Sequence, residues 1–83
     1  MTRLWPEGQS ITVVSRCEEP CTFTWHGHLH QVEAITQRWR IDLDWWRERA
    51  WRAYFKLYTD TGLLVVIYRD LLSGQWYLQR LYD

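Results

Sequence analysis

Cys17, Cys21, His26, His28 and His30 put five side chains able to bind a metal within fourteen residues. A structural zinc site needs four such ligands converging tetrahedrally at ~2.0 to 2.3 Å, so the backbone that carries them decides the question. The stretch C-T-F-T-W alternates apolar and polar residues, His26-Gly27 suits the type I′ turn of a two-residue hairpin loop, and H-L-H-Q-V continues the alternation. With Glu18 to Pro20 as a preceding loop, Cys17 falls opposite Cys21, Ser15 opposite Phe23 and Val13 opposite Trp25. On the other side Trp25 faces His28, Phe23 faces His30 and Cys21 faces Val32. In that register His28 lies four residues above the cysteine level, roughly 13 Å away at the rise of a strand, and His26 points to the opposite face. At most three ligands meet. The reading is no metal and no cofactor, with His28 and His30 as ring partners of Trp25 and Phe23. A Cys17–Cys21 disulfide fits across the loop, but two cysteines without an export signal are expected to be reduced thiols.

A second constellation is W-R-x-D-x-D-W-W-R-E-R-A-W-R, residues 39 to 52, with four Trp and four Arg in fourteen positions. Trp and Arg dominate binding hot spots because they join a large contact area to a directed donor. Trp39 and Trp51 are assigned to the core; Trp45 and Trp46 divide evenly between packing and contact. The candidate binding residues are Trp45, Trp46, Arg47, Arg49 and Arg52. Aromatic stacking beside basic groups is also the chemistry of single-stranded nucleic-acid binding, but Asp42, Asp44 and Glu48 are interleaved with those cations.

Catalytic signatures are not found: no G-x-S-x-G, no Gly-rich phosphate loop, no paired carboxylates flanked by a base. Cys with His can form a nucleophile pair, yet both fall on the face assigned to the core, where cysteines are inert. The expectation is a domain that is not an enzyme.

Turn signals arrive every eight to twelve residues, as in a small all-β unit. The hairpin register yields one face of Ile11, Val13, Ser15, Cys17, Cys21, Phe23, Trp25, His28, His30 and Val32. Ile35 and Trp39 have the opposite parity to Val32, so a bulge near Glu33-Ala34 is needed to turn them inward. From Asp42 to Leu57 two periods compete. Trp46, Ala50, Ala53, Tyr54 and Leu57 fit a helical stripe; read with period two, Trp51, Ala53, Phe55 and Leu57 share one face and Arg52, Tyr54, Lys56 and Tyr58 the other. Aromatic density and the D-T-G loop that follows favour a strand from about Trp51, with a helical turn near residues 44 to 48.

Eighty-three residues make one domain, residues 1–83, of which 1–9 are expected to be irregular. Ten Lys and Arg balance ten Asp and Glu, so no overall field draws the molecule to nucleic acid or an anionic membrane. The longest apolar run, L-L-V-V-I-Y, is far short of the ~18 residues of a membrane span. The expectation is a soluble, cytoplasmic protein without membrane association.

The residues F-x-W-x-G-x-x-x-x-V-x-x-I-x-x-x-W-R (Phe23 to Arg40), W-W (Trp45-Trp46), Y-F (Tyr54-Phe55), Y-R-D (Tyr68 to Asp70), G-x-W-Y-L (Gly74 to Leu78) and a terminal Y-D resemble a bacterial domain family of unknown function. Its members occur as stand-alone small proteins and, in a related form, at the C-terminus of the inactive Y-family polymerase homologue of the mycobacterial-type mutasome. The resemblance covers residues 20 to 83 and implies Tyr54-Phe55 in a strand; where many members have Tyr in the first long strand, this chain has His30. It carries over no catalytic residue and implies a link to DNA-damage tolerance, with a translesion-synthesis component as partner.

The sequence thus predicts a mainly all-β fold: five or six antiparallel strands in a small SH3-like or partly open barrel. The function it suggests is a non-catalytic protein-interaction module, with single-stranded nucleic-acid binding as the alternative, acting as a monomer or a homodimer closed through sheet edges.

Overall fold

His26 and Gly27 both adopt positive φ, 50° and 75°, the left-handed pair that a type I′ turn requires. The hairpin around them has the register read from the sequence, Trp25 opposite His28 and Phe23 opposite His30. The computed structural model describes residues 2–44 and 49–82. Their strands are β1 (Thr2–Arg16), β2 (Glu19–Trp25), β3 (His28–Asp44), β4 (Arg49–Thr59), β5 (Leu64–Asp70) and β6 (Trp76–Tyr82). Each pairs antiparallel with the next, and β6 returns to β1, so the sheet is a closed barrel in simple sequence order. Closure corrects the partly open alternative. It also corrects the expectation for residues 1–9, because Thr2, Arg3 and Leu4 pair with Tyr82, Leu81 and Arg80.

β4 follows the period-two reading. Ala53, Phe55 and Leu57 enter the interior with Phe23, Ile67, Leu78 and Trp76, whereas Tyr54 joins Val66 and Tyr68 on the outside. Burying each large apolar side chain of this set contributes ~1.5–3 kcal/mol; alternate positions of the neighbouring strands β4, β5 and β6 supply most of them, and Phe23 comes from β2. Asp44 lies in β3, opposite Arg49 of β4, so no helical turn begins there; residues 45–48 of that expectation lie outside the described residues. No helix among the described residues is long and apolar enough to cross a membrane.

Three local irregularities set the shape. The β1–β2 turn is Cys17-Glu18, both with positive φ. Val14 therefore pairs with Thr22 and Ser15 with Pro20, Cys21 being the extra residue of a bulge. The expected three-residue loop from Glu18 to Pro20 is thus replaced by a two-residue turn, whose twist matches that of its strands, and Cys17 is not opposite Cys21. In β3 the register shifts at Glu33, as anticipated, and again at Thr36. The second shift restores the parity that the first reversed. Thr36 stabilises it by donating its hydroxyl to the Lys56 carbonyl at 3.1 Å. Trp39 consequently faces outward, 37% exposed, rather than packing in the core.

Candidate functional site

β2 and β3 separate halfway along the barrel. Their pairing runs from Trp25↔His28 to Thr22↔Gln31 and stops; from Val32 onward β3 is paired only with β4 among the described residues. The bulge at Cys21, and Pro20 with no N–H to give to a ladder, leave this end of β2 free to diverge. A cavity of about 510 Å³ opens between the Cys17–Glu19 turn and β3, floored by Trp51 and Phe55 of β4 and by Arg69. At another part of the wall, Trp5 packs edge-on against Trp25 at 6.0 Å between ring centroids. There the indole N–H of Trp25 donates to Gln9 Oε1 at 3.2 Å.

The cavity lining is net cationic, with Arg38, Arg40 and Arg69 against Glu18 and Glu19. Arg38 spans the opening to form an ion pair with Glu19, with both side chains about half exposed, so the pair contributes little stability. Arg40 is exposed and has no ion-pair partner among the described residues. Arg69 lies with its guanidinium carbon 5.9 Å from the centre of the Trp76 ring, and its Nε is buried without a hydrogen-bond acceptor among the described residues. Buried N–H groups are nearly always paired, which makes this donor a point of demand for an acceptor.

The outside of the sheet carries a different device. Trp39, Tyr54, Tyr68 and Tyr77 occupy paired positions on β3, β4, β5 and β6 and stack in sequence at 5.3, 5.0 and 5.2 Å between centroids. Arg52 lies 4.8 Å over the Tyr68 ring and donates Nη1–H to the Tyr54 hydroxyl at 3.3 Å. That hydrogen bond holds the guanidinium still further into its charged range, against the opposing effect of burial. Burial pushes the Tyr68 phenol above its ordinary value, while the charge of Arg52 pulls it back. Lys56 and Arg80 both sit over the Tyr82 ring. Most ring faces of the ladder are covered by another ring or a cation, which leaves few platforms for a base to stack on.

Of the sequence-predicted site, Trp45, Trp46 and Arg47 lie outside the described residues. Arg49 is the β4 residue that pairs with Asp44. Arg52 belongs to the outer stack and is not brought to the cavity. Trp51, expected in the core, is half-buried and lines the cavity. The residues missed were Arg38, Arg40 and Arg69. The signal for the first two was present, since arginines two apart in a strand share a face.

The imidazoles are dispersed. His30 is buried, stacked on Phe23 at 5.2 Å, with Nδ1 2.9 Å from the Thr61 hydroxyl. His28 is exposed rather than semi-buried, and His26 is the ring that stacks on Trp25, at 4.3 Å. The two-residue turn accounts for this exchange, since it brings the His26 ring back over the indole. Cys17 is an exposed free thiol and Cys21 a half-buried one. No three His, Cys, Asp or Glu side chains among the described residues are grouped to hold a metal.

The motif residues are chiefly architectural. Asp70 accepts the Leu72 N–H at 2.9 Å, and Gly74, with φ 79°, donates to the Asp70 carbonyl at 2.7 Å, which turns the chain into Trp76. Comparison with known proteins returns no matching family model, no matching curated protein and no matching solved structure.

Proposed function

We propose that this domain is a non-catalytic protein-interaction module whose binding surface is the open edge of β3 together with the cationic cavity beside it. The observation that carries the reading is that, among the described residues, β3 is paired on one side only from Val32 to Ile41. A strand edge presents unpaired N–H and C=O groups, and added strands are recognised through them. Arg38 and Arg40 stand along that edge, and Arg69 offers a buried donor behind it. Trp45, Trp46, Arg47 and Arg49 follow the edge in sequence, and the sequence reading adds them to the proposed surface. The family resemblance of the motifs connects such a module to DNA-damage tolerance and to a translesion-synthesis protein as partner.

Parallel affinity captures test this. Wild-type bait should retain proteins that Arg38→Glu/Arg40→Glu bait loses, and Trp45→Ala/Arg49→Ala should weaken the same retention, with all baits melting alike. Retention that neither double variant alters removes the proposal. Single-stranded nucleic acid is the second reading, favoured by Trp51 lying beside Arg38, Arg40 and Arg69 at the cavity.

A further inference from the structure

The stretch Arg38-Trp39-Arg40-Ile41-Asp42-Leu43-Asp44 is antisymmetric in charge about Ile41, with Arg at positions two apart on one side and Asp on the other. It is also the regular part of β3. From Gln37 to Asp44 each residue pairs in unbroken succession with β4, from Lys56 to Arg49, and no shift interrupts the run. Positions 38, 40 and 42 share the face of Phe55, Ala53 and Trp51, while 39 and 41 share that of Tyr54 and Arg52. The opposite edge of the run has no strand partner among the described residues.

Resting on the reading above, we infer that this edge is a self-recognition surface: two copies of the chain join their β3 strands antiparallel about a twofold axis at Ile41. In that register Arg40 of each copy faces Asp42 of the other, Arg38 faces Asp44, Trp39 faces Leu43 and Ile41 faces itself. Arg and Asp positions oppose one another along the register and no like charges meet. Moving the axis to residue 40 sets Arg40 against Arg40, moving it to residue 42 sets Asp42 against Asp42, and a parallel in-register pairing opposes like with like throughout. Like charges directly opposite are destabilising in a sheet and opposite charges stabilising, so charge selects one register.

The bulges at Glu33 and Thr36 end the straight edge on one side, as bulges do at edges that must not pair without limit. The twofold axis then closes the assembly at two copies. Arg38 already pairs with Glu19 of its own chain, so Arg40 is the arginine to test first, against the register position of Asp42.

Sedimentation across a concentration series should show the mass rising from 10.3 kDa toward twice that value. Arg40→Glu alone, or Asp42→Arg alone, places two like-charge pairs across the axis and should weaken self-association about tenfold or more. An equimolar mixture of the two variants should associate again, because each supplies the charge the other lacks. Asp42 also interacts within its own chain, so circular dichroism confirms that the variant folds. A second variant avoids the charges altogether. Ile41→Cys in a Cys17→Ser/Cys21→Ser background should form a disulfide-linked dimer on mild oxidation, since directly opposed residues have Cα atoms ~4.5–5.5 Å apart, within disulfide reach. A wild-type chain that stays at 10.3 kDa throughout overturns the inference, as does a dimer that survives both single charge reversals. If that monomer still captures a protein through Arg38 and Arg40, the interaction-module reading stands without it.

Discussion

Arg52 shows how one residue's surroundings decide between binding and structure. Read in the sequence among Trp and Arg it belongs to a contact surface, yet it is placed over Tyr68 and hydrogen-bonded to Tyr54. Arg52→Ala is therefore expected to cost about 1 kcal/mol, the sum expected of a partly desolvated cation–π contact and a hydrogen bond. Urea denaturation should record the loss, and protein capture should be unchanged. Tyr68 provides a second residue-scale outcome. Burial raises its folded-state pKa above the ordinary value of about 10, so the folded chain keeps a proton that the unfolded chain releases. The associated stability is fully present below pH ~10 and is lost as pH rises through the raised value. Thermal melts between pH 9 and 11.5 should fall more steeply for wild type than for Tyr68→Phe; parallel curves would remove this assignment.

At the scale of elements, β1 depends on one glycine. Gly8 has φ 77°, and a Cβ there would lie 2.6 Å from the Tyr68 hydroxyl and 2.7 Å from Tyr77 Cβ. Gly8→Ala combines left-handed strain with overpacking, each costing on the order of 1–2 kcal/mol, and should lower the denaturation midpoint more than Gly27→Ala. The space around Gly27 is empty to 4 Å, so strain alone acts there. The β3–β4 ladder also outruns its neighbour: beyond Arg52↔Asp70, β4 has no β5 register partner among the described residues, and the Leu71 N–H donates to the Trp51 carbonyl. Hydrogen exchange should find the amides of Leu43 and Ala50 less protected than those of Phe55 and Ile67. These elements also show what was legible in the sequence. The β2–β3 hairpin and the two faces of β4 were readable because a turn glycine and strict alternation are local properties. The bulge at Thr36 was not, since nothing in T-Q-R distinguishes a residue that pairs from one that is skipped. Missing it turned Trp39 inward on paper. The strand at Thr2–Leu4 was hidden because Pro6-Glu7-Gly8 breaks the alternation, and only the distant β6 supplies its partner. The cavity was least legible, since it arises where β2 and β3 part, and strand divergence is a property of the closed barrel rather than of either segment.

For the whole molecule, charge balance separates the two readings of the cavity. Ten basic and ten acidic residues give no net attraction to a polyanion. Of the cations described, Arg38 is paired with Glu19, and Arg52, Lys56 and Arg80 are engaged over rings. Arg69 is likewise placed over the Trp76 ring, so a single-stranded nucleic acid would be held by the few that remain, chiefly Arg40 at the cavity. Such binding falls with log salt at a slope of about −0.7 per phosphate contacted, so an affinity resting on two or three contacts is weak at ~0.15 M salt. Closing a barrel through β1 and β6 also leaves the edge of β3 as a long run without a second strand partner among the described residues, and backbone pairing carries no comparable salt dependence. The expectation is that a fluorescent oligonucleotide shows no anisotropy change at physiological salt, while a protein captured through Arg38 and Arg40 is retained there. An oligonucleotide held by wild type through ~0.2 M salt and released by Arg40→Glu would transfer the site from protein recognition to phosphate recognition.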